Sequence, residues 1–302
     1  MAGANRGSLD PKVLAAVKNM ELKARVLVQG LYIGLHDSPY YGYSCEFADH
    51  RQYYPGDDVR SVDWKVYGRT DRYFLKRYRM EADMPVMVLL DTSASMGYKS
   101  HHVLSKLDYA VHLAAGLSHL VIQQNDRAGL VLFDGQVQTF MPPRGGKRHL
   151  WQILHHLDRV TAGEPTRIID VCHEVAQRLR QRGLVVLVSD FLDADYERLH
   201  RCLGHFRFSG YDTIVLQVLD PTEIEFPFNR TRNFADVETG EEFVVEPLGF
   251  RSRYRDRLER FRRSVEQQCL DCHYDYELVN TAHPIERVLH QYLAKRARLR
   301  SK

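Results

Sequence analysis

From Met84 onward the chain alternates two kinds of segment. Short, wholly apolar runs rich in β-branched residues take turns with longer stretches whose apolar residues recur at helical spacing. Val86–Leu90 and Leu184–Val188 have no polar face, so each needs apolar cover on both sides. Helices on both faces of a mostly parallel sheet supply that cover, and the expected fold class is a doubly wound α/β sheet. Further strands are predicted at Leu130–Phe133, Val137–Phe140, Thr213–Leu219 and Tyr274–Val279, the first two joined as a hairpin by Asp134-Gly135. Helical spacing predicts helices over His101–Gln124, Lys147–Arg159, Ile168–Leu179, Tyr196–Phe206, Phe250–Cys269 and Ile285–Ala297.

Two stretches break the alternation. Between Pro221 and Pro247 a small hairpin, Asn233–Val245, is expected as an insertion near residues 221–247 of an α/β domain spanning 85–302. Residues 1–84 differ in texture: an amphipathic helix around Val13–Val28 precedes Tyr32–Arg79, which is rich in Tyr, Gly, Asp and Arg with strand-like fragments. A separate N-terminal β-containing module over 1–84 is the expectation.

Composition excludes several classes. With 44% hydrophobic and 27% charged residues the 302-residue chain is not disordered, and a formal charge of +3 does not by itself argue for nucleic acid or membrane. That charge is unevenly spread: residues 1–84 carry 13 basic and 11 acidic groups, residues 85–248 carry 16 and 21, and residues 249–302 carry 13 and 7. Five scattered cysteines do not make a disulfide framework and suit a reducing compartment. No run approaches the roughly 18 apolar residues of a membrane span, and the N-terminus has no apolar stretch of the signal-peptide kind. The expected location is cytoplasmic, without direct membrane insertion.

The chemistry-bearing motif follows the first buried strand: Asp91-Thr92-Ser93-Ala94-Ser95-Met96-Gly97. A carboxylate followed at two-residue intervals by two hydroxyls can turn three oxygens toward one point. Such oxygen-only sets suit a hard divalent cation, Mg²⁺ first, with Mn²⁺ or Ca²⁺ as alternatives. Open doubly wound sheets bind ligands at this carboxyl edge, where the strand order reverses. Thr166, ahead of the Ile168–Leu179 helix, and Asp190, at the end of the second buried strand, are further oxygen donors at comparable places. If the two strands are parallel neighbours, the carboxylates of Asp91 and Asp190 emerge about one strand spacing, ~4.8 Å, apart.

In this order the Asp91-Thr92-Ser93-Ala94-Ser95 motif, Thr166 and Asp190 resemble the metal-ion-dependent adhesion site of von Willebrand factor type A domains. The N-terminal stretches Gly42-Tyr43-Ser44, Glu46-Phe47, Arg51 through Trp64, and Gly68-Arg69-Thr70 are similar to the hallmark of the bacterial domain of unknown function 58 family. The resemblance implies a von Willebrand A-like fold, a cytoplasmic bacterial protein, and association with MoxR-type AAA+ ATPases as adaptor or co-chaperone. Asp91, Ser93 and Ser95 match the pattern fully. Thr166 sits in Gly163-Glu164-Pro165-Thr166-Arg167 where relatives have Gly-Gly-Thr-Asp, and Phe191 follows Asp190 where other A domains have glycine.

The expected function is therefore a non-enzymatic, cation-dependent interaction module, with a MoxR-type ATPase or its client as partner and no nucleic acid. The alternative is a metal-dependent hydrolase, a phosphatase or nuclease, with Asp134 or Asp193 as base. Phosphatases of the haloacid dehalogenase type need a second Asp where Ser93 stands, and serine is a poor acid or base at neutral pH. Cys269-Leu270-Asp271-Cys272-His273 lacks a second ligand pair for zinc and is expected to be a helix end before a buried strand. Arg251–Arg263 is a basic helix suited to an acidic protein surface. Arg51, Arg60, Asp63 and Trp64 are expected to form either a structural ion-pair network or a binding surface.

Overall fold

A computed structural model describes residues 19–35, 47–53, 62–78, 84–100, 104–165, 167–179, 182–192, 196–235, 242–290 and 293. In chain order the elements are α1 (Met20–Leu35), β1 (Phe47–Gln52), α2 (Trp64–Thr70), β2 (Phe74–Tyr78), β3 (Pro85–Asp91), α3 (Lys106–Gln123), β4 (Arg127–Phe133), β5 (Val137–Arg144), α4 (Lys147–Leu157) and α5 (Ile168–Arg178). There follow β6 (Leu184–Ser189), α6 (Tyr196–Phe208), β7 (Asp212–Leu219), α7 (Pro221–Glu225), β8 (Arg232–Ala235), β9 (Glu242–Val245), α8 (Pro247–Asp271) and β10 (Asp275–Asn280). A further helical stretch covers 285–290.

The chain divides into two compact units, 35–83 and the combination of 1–34 with 84–302. The boundary differs from the expected division at residue 84, because α1 falls with the α/β unit. Lys23 Nζ donates to His112 Nε2 at 2.9 Å, and Leu27 of α1, together with Leu289, lies over Gly116 of α3.

The α/β unit holds one six-stranded sheet in the order β10-β7-β6-β3-β4-β5. β5 alone runs antiparallel, through the Asp134-Gly135 hairpin; all other pairings are parallel. Strands β3, β4, β6 and β7 are buried almost throughout, as expected for apolar runs covered on both faces. Met87, Leu89, Val131, Phe133, Val185, Leu187 and Val215 share one core cluster with residues of α5, α6 and α8. α3 packs on β3, β4 and β7, and it is buried nearly all round because α1, α4 and 285–290 enclose it. The expected fold class, a mostly parallel doubly wound sheet, is the one observed.

Local chemistry sets several boundaries. α3 begins at Lys106, not His101, because Ser105 and Asp108 form a reciprocal cap: Asp108 N–H donates to Ser105 Oγ at 3.0 Å and Ser105 N–H to Asp108 Oδ2 at 3.1 Å. α8 starts three residues early, at Pro247, a residue suited to a first helical turn. The stretch after Asp220 opens with a short helix, α7, capped by Asp220, before the expected hairpin, formed by β8 and β9. Cys269 and Cys272 are buried free thiols at the end of α8; burial pushes the Cys269 thiol up to about 12, as suits a structural helix end. β10 is a half-buried edge strand rather than a buried one.

In the 35–83 unit β1 and β2 pair antiparallel, Gln52 opposite Phe74. Asp63 is the N-cap of α2, accepting from Lys65 N–H at 3.0 Å, and Tyr67 stacks on Tyr73 with centroids 4.5 Å apart. Trp64 is 58% exposed. Arg60 and the Arg51 side chain lie outside the described residues.

His112 gives the α/β unit a measurable acid sensitivity. Burial first, and the Lys23 ammonium second, push its imidazole down to about 4. Its folded value lies below the unfolded 6.5, so its contribution is complete above pH 6.5 and lost as pH falls toward 4. That loss is about 3 kcal/mol. Denaturant titrations at pH 7 and pH 4 are expected to show it for the parent and not for His112→Gln; equal losses in both would refute it.

Candidate metal centre at the carboxyl edge of the sheet

The strand order reverses between β3 and β6: β4 and β5 lie to one side of β3, while β6, β7 and β10 lie to the other. Leu90 pairs with Val188, so Asp91 and Asp190 leave adjacent parallel strands at the same edge. Both are fully buried.

Asp91 sits in a tight loop. Its Oδ1 accepts from Ser93 N–H at 2.9 Å and its Oδ2 from Ser189 Oγ at 2.5 Å. The hydroxyls of Ser93 and Ser95 are 3.1 Å apart, brought together by the single 3₁₀ turn Ser95–Gly97. Burial, and then the nearby Asp190 carboxylate, push the Asp91 carboxyl up to about 7 against these hydrogen bonds. A positive charge beside it would reverse that penalty.

The walls are tied together. Thr92 donates N–H and hydroxyl to the Phe133 carbonyl at 2.7 and 2.9 Å. Gly163 N–H donates to the Thr92 carbonyl at 2.7 Å and Arg167 N–H to the Asp134 carbonyl at 3.1 Å. A Cβ at Gly163 would lie 2.5 Å from Asp134 Oδ2, so only glycine permits this approach. Thr166 itself lies outside the described residues, as does Asp193. Asp134 is engaged: both its oxygens accept from Gln138 Nε2, at 2.9 and 3.1 Å, and Oδ1 accepts from Gln136 N–H.

Asp190 has an occupant that the motif does not announce. Lys106, 0% exposed, donates from Nζ to Asp190 Oδ2 and to Glu223 Oε1, both at 2.7 Å. Asp190 Oδ1 accepts from Leu192 N–H at 3.2 Å. The two carboxylates outweigh burial and hold the Lys106 ammonium above its ordinary value. Two more residues escaped the motif. Ser189 Oγ, donating to Asp91, also accepts from Phe191 N–H at 3.0 Å, and Gln217 Nε2 donates to the Asp190 carbonyl at 3.1 Å. Phe191 adopts the left-handed conformation (φ 61) with its ring in the core, a backbone conformation that glycine adopts without steric cost.

The donor set fits a small hard cation. Asp91, Ser93 and Ser95 offer only oxygen, with one carboxylate in need of a counter-charge. Among the described residues no group of three or more His, Cys, Asp or Glu is placed to hold a metal, so hydroxyls must form part of any ligand set here.

A mostly parallel sheet with this strand order, and with hydroxyl and carboxylate donors at its switch point, defines a von Willebrand A-like α/β protein. The chain belongs to the family described as "Protein of unknown function DUF58", whose pattern matches residues 49–267. It is 29% identical over 253 residues, 80% of this chain and 77% of the other, to uncharacterized protein Rv1480 of Mycobacterium tuberculosis. Among solved structures it is similar to an aerotolerance-related membrane protein from Bacteroides fragilis (18% identity, 70% of this chain and 98% of that one, TM-score 0.47). It is also similar to the SpRpn10 VWA domain (12% identity, 68% and 93%, TM-score 0.40). The fold rests on the strand order rather than on these superpositions.

The cytoplasmic location expected from the sequence is not upheld: the B. fragilis protein to which this chain is similar is described as a membrane protein. Among the described residues no helix is long and apolar enough to cross a membrane, and that fact does not assign a compartment.

Proposed function

We propose that this chain is a non-enzymatic interaction module whose carboxyl-edge site holds a divalent cation, Mg²⁺ first, on Asp91, Ser93 and Ser95. Thr166 and Asp190 contribute directly or through water. The single observation that carries the reading is the fully buried Asp91 carboxylate, without a cationic partner among the described residues, beside two converging hydroxyls. The ion supplies a positive centre that a carboxylate of a partner protein completes. Binding is favoured over hydrolysis because Asp134, a candidate base, has both oxygens engaged by Gln138.

The partner implied by the family resemblance is a MoxR-type AAA+ ATPase or a client it remodels. Purified chain immobilised on a sensor is expected to capture such an ATPase in Mg²⁺ and to release it in excess chelator. Equal capture in both conditions would overturn the cation-dependent reading, and Mg²⁺-dependent phosphatase or nuclease turnover lost in an Asp91 variant would replace it with the hydrolase.

A further inference from the structure

Lys106 is a buried ammonium at the first turn of a helix that is buried over most of its length and carries no charged residue after Asp108. It joins the end of β6, through Asp190, to α7, through Glu223. The Asp190 carboxylate is committed by this contact: one oxygen faces Lys106 and the other the Leu192 N–H. Among the described residues Asp91 has no such ammonium, its oxygens being met by Ser93 N–H and Ser189 Oγ. The edge thus holds two electrostatically coupled carboxylates, of which one has a tethered cation and the other does not.

We infer that Lys106 is a resident counter-ion that sets the cation affinity of the site, withholding the Asp190 carboxylate from direct coordination, so that it reaches the ion only through water and Asp91 is the carboxylate of the seat beside Ser93 and Ser95. Lys106 is a positioning residue, acting on the ion through Asp190. This inference rests on the cation reading above and gives it a weak, reversible character. A buried ion pair neutralises charge that would otherwise attract a second cation, and removing its ammonium leaves Asp190 and Glu223 to seek another. Two further contacts brace the same arrangement: Tyr98 hydroxyl lies 3.0 Å from Thr222 Oγ1, and Ser100 Oγ donates to Asp220 Oδ2 at 2.9 Å. The loop that carries Ser95 is therefore fixed to α7 independently of Lys106, so replacing the lysine changes charge without releasing the loop.

Calorimetric titration of Mg²⁺ and Mn²⁺ at pH 8 into the parent, Lys106→Met and Glu223→Gln tests this. Lys106→Met, folded by circular dichroism, is expected to bind tenfold tighter or more and to gain more in Tm from added Mg²⁺ than the parent does. Simple structural damage would move affinity the other way. Glu223→Gln, which keeps an oxygen for the ammonium and removes one negative charge, is expected to bind more weakly. Unchanged or weaker binding by folded Lys106→Met overturns the inference. If that variant does not fold, Glu223→Gln decides, and unchanged or tighter binding there overturns it. A parent that binds no cation defeats the cation reading; Lys106→Met binding one in that case would support Lys106 as its built-in substitute, and silence from both would defeat the two together.

Discussion

Asp91→Asn is expected to abolish cation binding while leaving the fold at least as stable as the parent. The amide keeps the shape of the side chain: its oxygen can accept from Ser93 N–H, and its NH2, standing in place of Oδ2, can donate to Ser189 Oγ, which is the donor in the parent, so the loop after β3 keeps both contacts with one reversed in direction. What disappears is a negative charge that burial and Asp190 both disfavour. Removing a charge so placed costs little folding energy, since burial and the Asp190 carboxylate already push the carboxyl up to about 7 and so disfavour its charged form. For a cation the loss is severe, because Asp91 is the carboxylate of the proposed seat and has no ammonium partner among the described residues: about 100-fold or more in affinity. Denaturant titration with calorimetry separates the two effects, and a variant that unfolds, or that binds cation as well as the parent, contradicts this assignment.

Gly183→Ala is expected to be the most damaging small substitution in the sheet. Gly183 precedes β6, and a Cβ there would lie 2.3 Å from the Pro85 carbonyl oxygen and 2.7 Å from Pro85 Cγ. The oxygen belongs to the backbone of β3 and cannot swing aside. The two central strands must move apart, and their far ends carry Asp91 and Asp190. The expected cost is about 3 kcal/mol, read as a lower denaturant midpoint. Gly204→Ala, where a Cβ meets nothing within 4 Å, serves as the control on α6 and is expected to be neutral or slightly stabilising. Equal stability of the two variants would show that the β3–β6 approach is looser than described.

The sheet was legible because its central strands are wholly apolar, which leaves few architectures open, and because Asp134-Gly135 marks the one antiparallel turn. The Asp91 loop was legible because its oxygens are close in sequence. Lys106 was not, since its partners are 84 and 117 residues away. A signal did exist: after Asp108 the helix carries no charged residue for three turns and more, the pattern of a helix buried on all sides, so a lysine at its start must also be buried and paired. The Ser105–Asp108 cap that sets the start of α3 was equally present in the sequence. Ser189 looked like an ordinary strand end, and only the β3–β6 register places its hydroxyl on Asp91. The domain boundary was misplaced because the amphipathic face of α1 does not name its partner. That partner, α3, includes His112, 89 residues downstream of Lys23.

The central claim is that Asp91, Ser93 and Ser95 seat a divalent cation. Calorimetric titration of metal-free protein with Mg²⁺ and Mn²⁺, run in parallel on the parent and on Asp91→Asn, tests it most directly. The expected result is one saturable site per chain in the parent and none in the variant. No uptake by the parent, or the same uptake by both proteins, would contradict it.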